Sequence, residues 1–283
     1  MLNINLIEKA VVLIGFIFIN LPSWAGSYED YFKAIQFDDV RTVQALLQRG
    51  FDPNTVNPAG HAGLMLAVRE PSPKVTQLLL SWPKIKVEVR NDKDESVLML
   101  AALKGHLPLV KQLVELDADV NKPGWTPLHY AASTGQVAVI EFLLENSAYI
   151  DAESPNGSTP LMMAAMYGSP EAVKVLIQAG ADLNIKNQLG LTALDFAVRG
   201  HRQNAKELIQ TGLQRQAARA AKAQTPKLVA DDVTAQTASS QATTPAGPVN
   251  TRSTANAAQS SAPVLPPAAE ASMPASKPVK TGW

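Results

Sequence analysis

The chain has 283 residues, 46% of them hydrophobic and 18% charged, which is enough apolar surface to bury in one or two domains. Its 25 Lys plus Arg balance 25 Asp plus Glu, so no net field draws nucleic acid or an anionic membrane, and no nucleic-acid partner is expected. With no cysteine, disulfides, thiolate metal sites, a cysteine nucleophile and lipidation of an amino-terminal cysteine are all excluded.

The amino terminus reads as an export signal. A polar stretch with Lys9 leads into the apolar run Ala10 to Leu21, followed by Pro22 and Ser23-Trp24-Ala25. Small residues at Ser23 and Ala25 carry the spacing that signal peptidase reads, so residues 1–25 are the expected leader and Gly26 the new terminus. The run falls short of the roughly 20 residues a helix needs to cross a bilayer, so a retained anchor is the weaker reading. No stable membrane insertion is expected after cleavage. Export without disulfides or a lipid anchor suits the periplasm; secretion is the alternative.

Beyond the leader the chain repeats itself. Thr126-Pro127-Leu128-His129-Tyr130-Ala131-Ala132 returns 33 residues later as Thr159-Pro160-Leu161-Met162-Met163-Ala164-Ala165. Weaker copies begin at Ala62, Ser96 and Thr192, and Leu64, Leu98, Leu128, Leu161 and Leu194 are 34, 30, 33 and 33 residues apart. Each copy has the same grammar. Thr or Ser supplies a side-chain oxygen to the first free amides of a helix, and Pro127 or Pro160 takes the position where a missing N–H costs nothing. Small residues such as Ala131 and Ala132 admit a neighbouring helix, and Gly105, Gly135 or Gly168 is expected to end the helix in the left-handed region. A second helix follows with its apolar stripe at i, i+3, i+4: Val43, Leu46, Leu47; Val110, Leu113, Val114; Ile140, Leu143, Leu144; Val173, Leu176, Ile177. Then comes a linker such as Gly180-Ala181-Asp182-Leu183-Asn184 and a turn such as Asn156-Gly157.

This pattern resembles the ankyrin-repeat family, T-P-L-H-x-A-A-x-x-G followed by V-x-x-L-L-x-x-G-A-D-x-N, from about Tyr28 to Gly212. The resemblance implies an all-α solenoid of about six helix-turn-helix repeats with β-hairpin fingers, spanning 26–212, its first and last repeats acting as caps. A helical extension over 213–224, with Arg215, Arg219 and Lys222, is expected to present a solvated basic face. Residues 225–283, rich in Ala, Pro, Ser and Thr, are expected to form a disordered tail.

Several departures carry information. The family histidine stands only at His129; Met65, Met99, Met162 and Asp195 occupy the matching sites, where apolar packing is expected to substitute. The 30-residue spacing predicts one finger about three residues short, at Asn121 to Trp125. Asp38 stands where the first copy would have glycine, and Pro71, Pro73, Trp82 and Pro83 predict distortion in the second copy.

Nothing in the sequence converges on catalysis. His61, His106, His129 and His201 recur at similar repeat positions and lack metal-ligand spacing, and no nucleophile elbow or phosphate loop is present. No catalytic residue, metal or cofactor is expected. The sequon Asn156-Gly157-Ser158 is explained by its turn. By resemblance, finger tips and the exposed side of each first helix form the partner surface: Lys93, Glu95, Leu103, Lys104, Lys122, Trp125, Ser133, Thr134, Asn156, Ser158, Met166, Tyr167, Leu189, Leu191 and Arg199. Apolar anchors among charged neighbours suit a protein partner. The expected function is that of a non-catalytic, monomeric scaffold in the periplasm. An inhibitor or protector of one periplasmic enzyme, or a secreted protein acting on a host, are the alternatives.

Overall fold

A computed structural model describes residues 24–224; residues 1–23, of the expected leader, and 225–283, the expected tail, lie outside the described residues. Twelve helices make six successive pairs there: α1 (Trp24–Gln36) and α2 (Val40–Gln48), α3 (Gly63–Arg69) and α4 (Pro73–Leu80), α5 (Val97–Leu103) and α6 (Leu107–Glu115), α7 (Pro127–Thr134) and α8 (Val137–Glu145), α9 (Pro160–Met166) and α10 (Pro170–Gln178), α11 (Ala193–Arg199) and α12 (Gln203–Gln224). The expected cut after Ala25 falls in the first turn of α1. Residues 213–224, the expected helical extension, form the second half of α12.

Odd-numbered helices stack on one another as an inner row, and even-numbered helices form the outer row behind them. The reason is legible in the side chains. Leu64, Leu98, Leu128 and Leu161 are buried in the inner row, as are Ala101, Ala102, Ala131, Ala132, Ala164 and Ala165, whose small size lets backbones come close. From the outer row come Val43, Leu46, Leu47, Val75, Leu79, Val110, Leu113, Ile140, Leu143, Val173 and Leu176, all buried; Val114, Leu144 and Ile177 are half-buried at its edge. One apolar core runs the length of the array.

Inner helices start where the sequence places their caps. Ser96, Thr126, Thr159 and Thr192 each accept the N–H three residues on, and α7 and α9 carry proline in the first turn. Between the helices, Gly105 and Gly135 are left-handed as expected, and Asp38 and His201 adopt the same region at φ 52° and 54°. Gly168 corrects the expectation: Tyr167 closes α9 at φ −118°, and Gly168 lies outside the left-handed set. Its need for glycine is steric, since a Cβ there would stand 2.3 Å from the Ala132 carbonyl oxygen and 2.9 Å from Ala164 Cα.

One polar ladder ties each repeat to the next. The side chain at the last position of each linker accepts a backbone N–H from the following linker: Asn54 from Lys86, Glu88 from Asp119, Asn121 from Tyr149, and Asp151 from Asp182. Asn54 and Asn121 also donate, to the carbonyls of Lys84 and Ser147. At the end of the array no further linker follows, and Asn184 meets the side chain of Gln216 on α12 instead.

The second repeat departs from this regularity. Ala62 offers α3 no side-chain cap, and the hydroxyl of Ser72 goes to the Ile35 carbonyl of the first repeat. Its inner helix approaches α5 less closely than later inner helices approach one another, and Gln77 on α4 reaches α6 through Gln112 at 3.1 Å. The last repeat is half a cap. Its outer helix carries Lys206 and Gln210 where earlier copies have Val, Ile, Leu or, once, Thr76, but Val198, at the position of the buried Ala132 and Ala165, is 51% exposed because no further repeat covers it among the described residues.

Candidate partner-binding surface

The fingers are tight turns with a shared chemistry. In the second, third and sixth repeats a leading asparagine turns its side-chain oxygen inward to accept two N–H groups: Asn57 from Ala59 and His61, Asn91 from Lys93 and Glu95, Asn187 from Leu189 and Leu191. In the fifth repeat the Ser154 hydroxyl oxygen accepts from the Ser158 N–H, and Asn156 Oδ1 accepts from the same N–H and from the Ser154 hydroxyl. Single antiparallel bridges, Val56 to Ala62 and Arg90 to Ser96, close the second and third fingers. Neighbouring fingers touch: Gln188 donates its backbone N–H to Asn156 O at 3.1 Å and its side chain to Pro155 O at 2.8 Å.

These fingers and the inner helices divide the expected surface residues into two groups. Lys93, Lys104, Leu189 and Arg199 are exposed, and Trp125, Thr134, Asn156, Met166, Tyr167 and Leu191 are half-buried with a face to solvent. Glu95, Leu103, Lys122, Ser133 and Ser158 are buried, which corrects their assignment to a contact surface. Each buried one has a structural occupation. Glu95 accepts from the Tyr130 hydroxyl at 2.8 Å and from Asn91 Nδ2 at 2.7 Å. Leu103 joins Met99 and Tyr130 in a small cluster against which Trp125 packs. Ser133 donates to the Tyr130 carbonyl, and Ser158 O receives the imidazole of His129.

Some accessible residues are also tied into the fold. Lys104 reaches the Arg69 carbonyl at the end of α3, and Thr134 donates to Leu103 O at 3.0 Å. Arg202 does the same from the last repeat, donating to the carbonyls of Met166 and Tyr167. In the third, fourth and sixth repeats a side chain thus reaches carbonyls at the end of the preceding inner helix. Trp125 stands edge-on to His129 with ring centroids 5.2 Å apart. That leaves Leu189, 54% exposed at the tip of the last finger, as the least committed apolar residue of the expected set. Sequence reasoning missed Val56, 53% exposed beside the second finger, where other copies are polar, and Val198, where the third to fifth copies have alanine.

His129 is fully buried. Its Nδ1 accepts the Thr126 N–H at 3.2 Å, so Nε2 carries the proton and donates to Ser158 O at 2.9 Å. Burial pushes its pKa down to about 4, which keeps the ring neutral. At the matching sites Met99 and Met162 retain half of this arrangement: their sulfurs accept the N–H of Ser96 at 3.3 Å and Thr159 at 3.5 Å. Packing is therefore not the whole substitution. The bond across to the next repeat, however, belongs to His129. His61 is pushed below its ordinary pKa by burial first and then by the Arg69 charge, and it faces Glu95, Asp92 and Lys93 as well.

At the short fourth finger the charges form a knot. Lys122 is 2% exposed, and its ammonium reaches Asp94 Oδ2 at 2.5 Å, Pro123 O at 3.0 Å and Trp125 O at 3.1 Å. That bond to Lys122 holds the Asp94 carboxyl below the usual carboxylate range, with Arg90 adding to it. Arg90 in turn pairs with Glu88 at 3.0 Å, Asp94 at 3.3 Å and Asp119 at 3.5 Å. Among the described residues no group of His, Cys, Asp and Glu could hold a metal ion, and no helix is long and apolar enough to cross a membrane.

Comparison with known proteins agrees with this architecture. A chain from the solved complex of a predatory endopeptidase of Bdellovibrio bacteriovorus with an immunity protein is 28% identical, with a TM-score of 0.57 over 64% of this chain and 97% of that one. The human ASB11 ankyrin repeat domain is 25% identical, with a TM-score of 0.57 over 64% of this chain and 81% of that one. Ankyrin repeat and SAM domain-containing protein 6 of Danio rerio is 34% identical over 114 residues, 39% of this chain and 15% of that protein. The chain spans 9% to 15% of the length of such curated relatives. The family model for ankyrin repeats matches three times, over residues 31–123, 64–154 and 148–217. With six stacked helix pairs, a shared finger chemistry and a family match from residue 31 to 217, the chain belongs to the ankyrin-repeat family, whose fold is in general a non-catalytic module for protein–protein interaction.

Proposed function

We propose that this chain is a non-catalytic, monomeric scaffold of the periplasm that docks one protein partner along its fingers and inner helices. The observation that carries the reading is the accessible strip itself. Trp125, Met166, Tyr167, Leu189 and Leu191 keep an apolar face to solvent beside the charges of Lys93, Lys104 and Arg199. Aromatic and aliphatic anchors with a charged rim are the composition of a protein interface. The leader over residues 1–25 supports export, and the lack of cysteine agrees with a fold that needs no disulfide.

A narrower reading, the inhibitor or protector of a single enzyme, is favoured by one observation. The similar chain from the endopeptidase complex is matched over 97% of its length, so the likeness extends to a whole array. Affinity purification of the mature protein with cross-linking, from a periplasmic extract, tests both readings. One stoichiometric partner, lost at least tenfold on Leu189→Asp with unchanged melting, is the expected result. Capture that Leu189→Asp and Tyr167→Ala both leave intact would place the partner elsewhere on the array.

A further inference from the structure

The fourth finger is short because the residues between linker and turn are missing. In the third repeat Glu88, the ladder residue, is followed by Val89-Arg90 and then by Asn91, whose side chain organises the finger. In the fourth, Asn121 stands at both positions at once, directly before Lys122-Pro123-Gly124-Trp125. It cannot serve both. Its Nδ2 donates to Ser147 O at 2.8 Å and its Oδ1 accepts the Tyr149 N–H at 2.8 Å, so the amide is committed to the next repeat. The finger is left without an internal organiser.

We infer that Lys122 is a positioning residue of the partner surface: its ammonium replaces the missing finger asparagine and locks Trp125 and the third finger in place. An ammonium has three donors, and here each finds an acceptor: Asp94 Oδ2, Pro123 O and Trp125 O. Two of these acceptors lie within the fourth finger and one lies on the third, so a single side chain both folds its own loop and fixes the gap to its neighbour. Asp94 is held for this by Arg90, itself braced by Glu88 and Asp119. Trp125, whose carbonyl Lys122 holds, carries the indole that packs on Met99, Leu103 and Tyr130 and faces the proposed partner. Lys122 therefore acts on binding from inside, without touching a partner.

The consequence for affinity rests on the proposed function; the consequence for the finger does not. In the full chain, Lys122→Met should raise amide hydrogen exchange across residues 122–126 at least tenfold, leave the fifth and sixth repeats unchanged, and weaken partner capture about tenfold. Lys122→Arg, which keeps the charge, and Asp94→Asn, which removes one acceptor, should give intermediate exchange should Lys122→Met fold poorly. The decisive variant restores the missing segment. With Val-Arg-Asn inserted after Asn121, copied from residues 89–91, the new asparagine can organise the finger, and Lys122→Met should then change exchange less than twofold. Unchanged exchange in Lys122→Met, or an equal rise with and without the insertion, would overturn the inference. Local loosening without loss of capture would sustain the role of Lys122 in the finger and instead place the partner away from Trp125.

Discussion

The second and fourth repeats reach the same fold with very different local support. In the fourth, Thr126 caps α7 with its side chain, Pro127 opens it and Gly135 closes it at φ 71°. The second has Ala62 without a cap bond, Gly63 in place of proline, Pro71 between its helices and Trp82-Pro83 in a stretch before the linker that is one residue longer than in the other repeats. Yet Leu64, Val75 and Leu79 are as deeply buried as Leu128, Val139 and Leu143. The apolar stripe decides that a helix pair forms and stacks. Caps and small residues decide how closely it approaches its neighbour, and the looser contact of α3 with α5 is the cost of their loss.

The largest expected separation between the two repeats is in their response to acid. His129 has a folded pKa of about 4, below the ordinary 6.5 of an unfolded chain. Above pH 6.5 the ring is neutral in both states and its contribution is fully present. As pH falls from 6.5 to 4 the unfolded chain takes up the proton first, so stability is lost by up to about 3 kcal/mol. Met65, at the matching site of the second repeat, has no such dependence, although His61 of that repeat is lowered in the same direction from a half-buried position. Urea denaturation between pH 7.5 and 4 should show this loss, and His129→Met should flatten it at some expense in stability at pH 7.5, since the bond to Ser158 O goes too. An equally steep loss in His129→Met would assign the acid sensitivity to other groups.

The next effect sharpens the comparison from the side of the irregular repeat. The family pattern suggests proline or a larger residue at Gly63, but Tyr31 of the first repeat occupies that space, donating its hydroxyl to Pro53 O at 2.9 Å. A Cβ on Gly63 would stand 2.2 Å from the Tyr31 hydroxyl oxygen and 2.7 Å from its ring. Gly63→Ala should therefore destabilise by about 2 kcal/mol through overpacking. Gly63→Pro should cost more, because the N–H that donates to Thr55 O is lost as well. A neutral or stabilising Gly63→Pro in thermal melting would show that the second repeat is merely a degraded copy of the fourth.

Period, stripes, caps and the short finger were all legible in the sequence, because each depends on residue type at fixed spacing. The surface was half legible. Family position says where a backbone stands but not which way a long side chain turns, so it points Lys122 and Glu95 outward although both are buried. The spacing of 30 between Leu98 and Leu128 held the clue to Lys122, but only the bonds of Asn121 reveal that its amide is already engaged. The ladder was hidden for another reason. Asn54, Glu88, Asn121 and Asp151 hold the same linker position and share an acceptor oxygen but not a residue type, so the asparagine of the family pattern displays only two of them.

The smallest expected effect asks whether the two repeats also differ where their chains leave the outer helix. Lys84 after the second repeat and Ser147 after the fourth both adopt left-handed backbone, at φ 67° and 65°, where the later copy has Gly180. Both are exposed, and both offer their carbonyl to a ladder asparagine, Asn54 or Asn121. A side chain in this region costs roughly 1 kcal/mol, which glycine relieves, although glycine also gives the unfolded chain more freedom. Lys84→Gly and Ser147→Gly should each gain about 0.5 kcal/mol by denaturant titration. Because the backbone term is the same at the two sites, equal gains mean that the irregularity of the second repeat ends before its linker. A gain at Ser147 alone would mean that Lys84 contributes something more through its stem, and that the one-residue insertion around Trp82-Pro83 has reshaped the linker too.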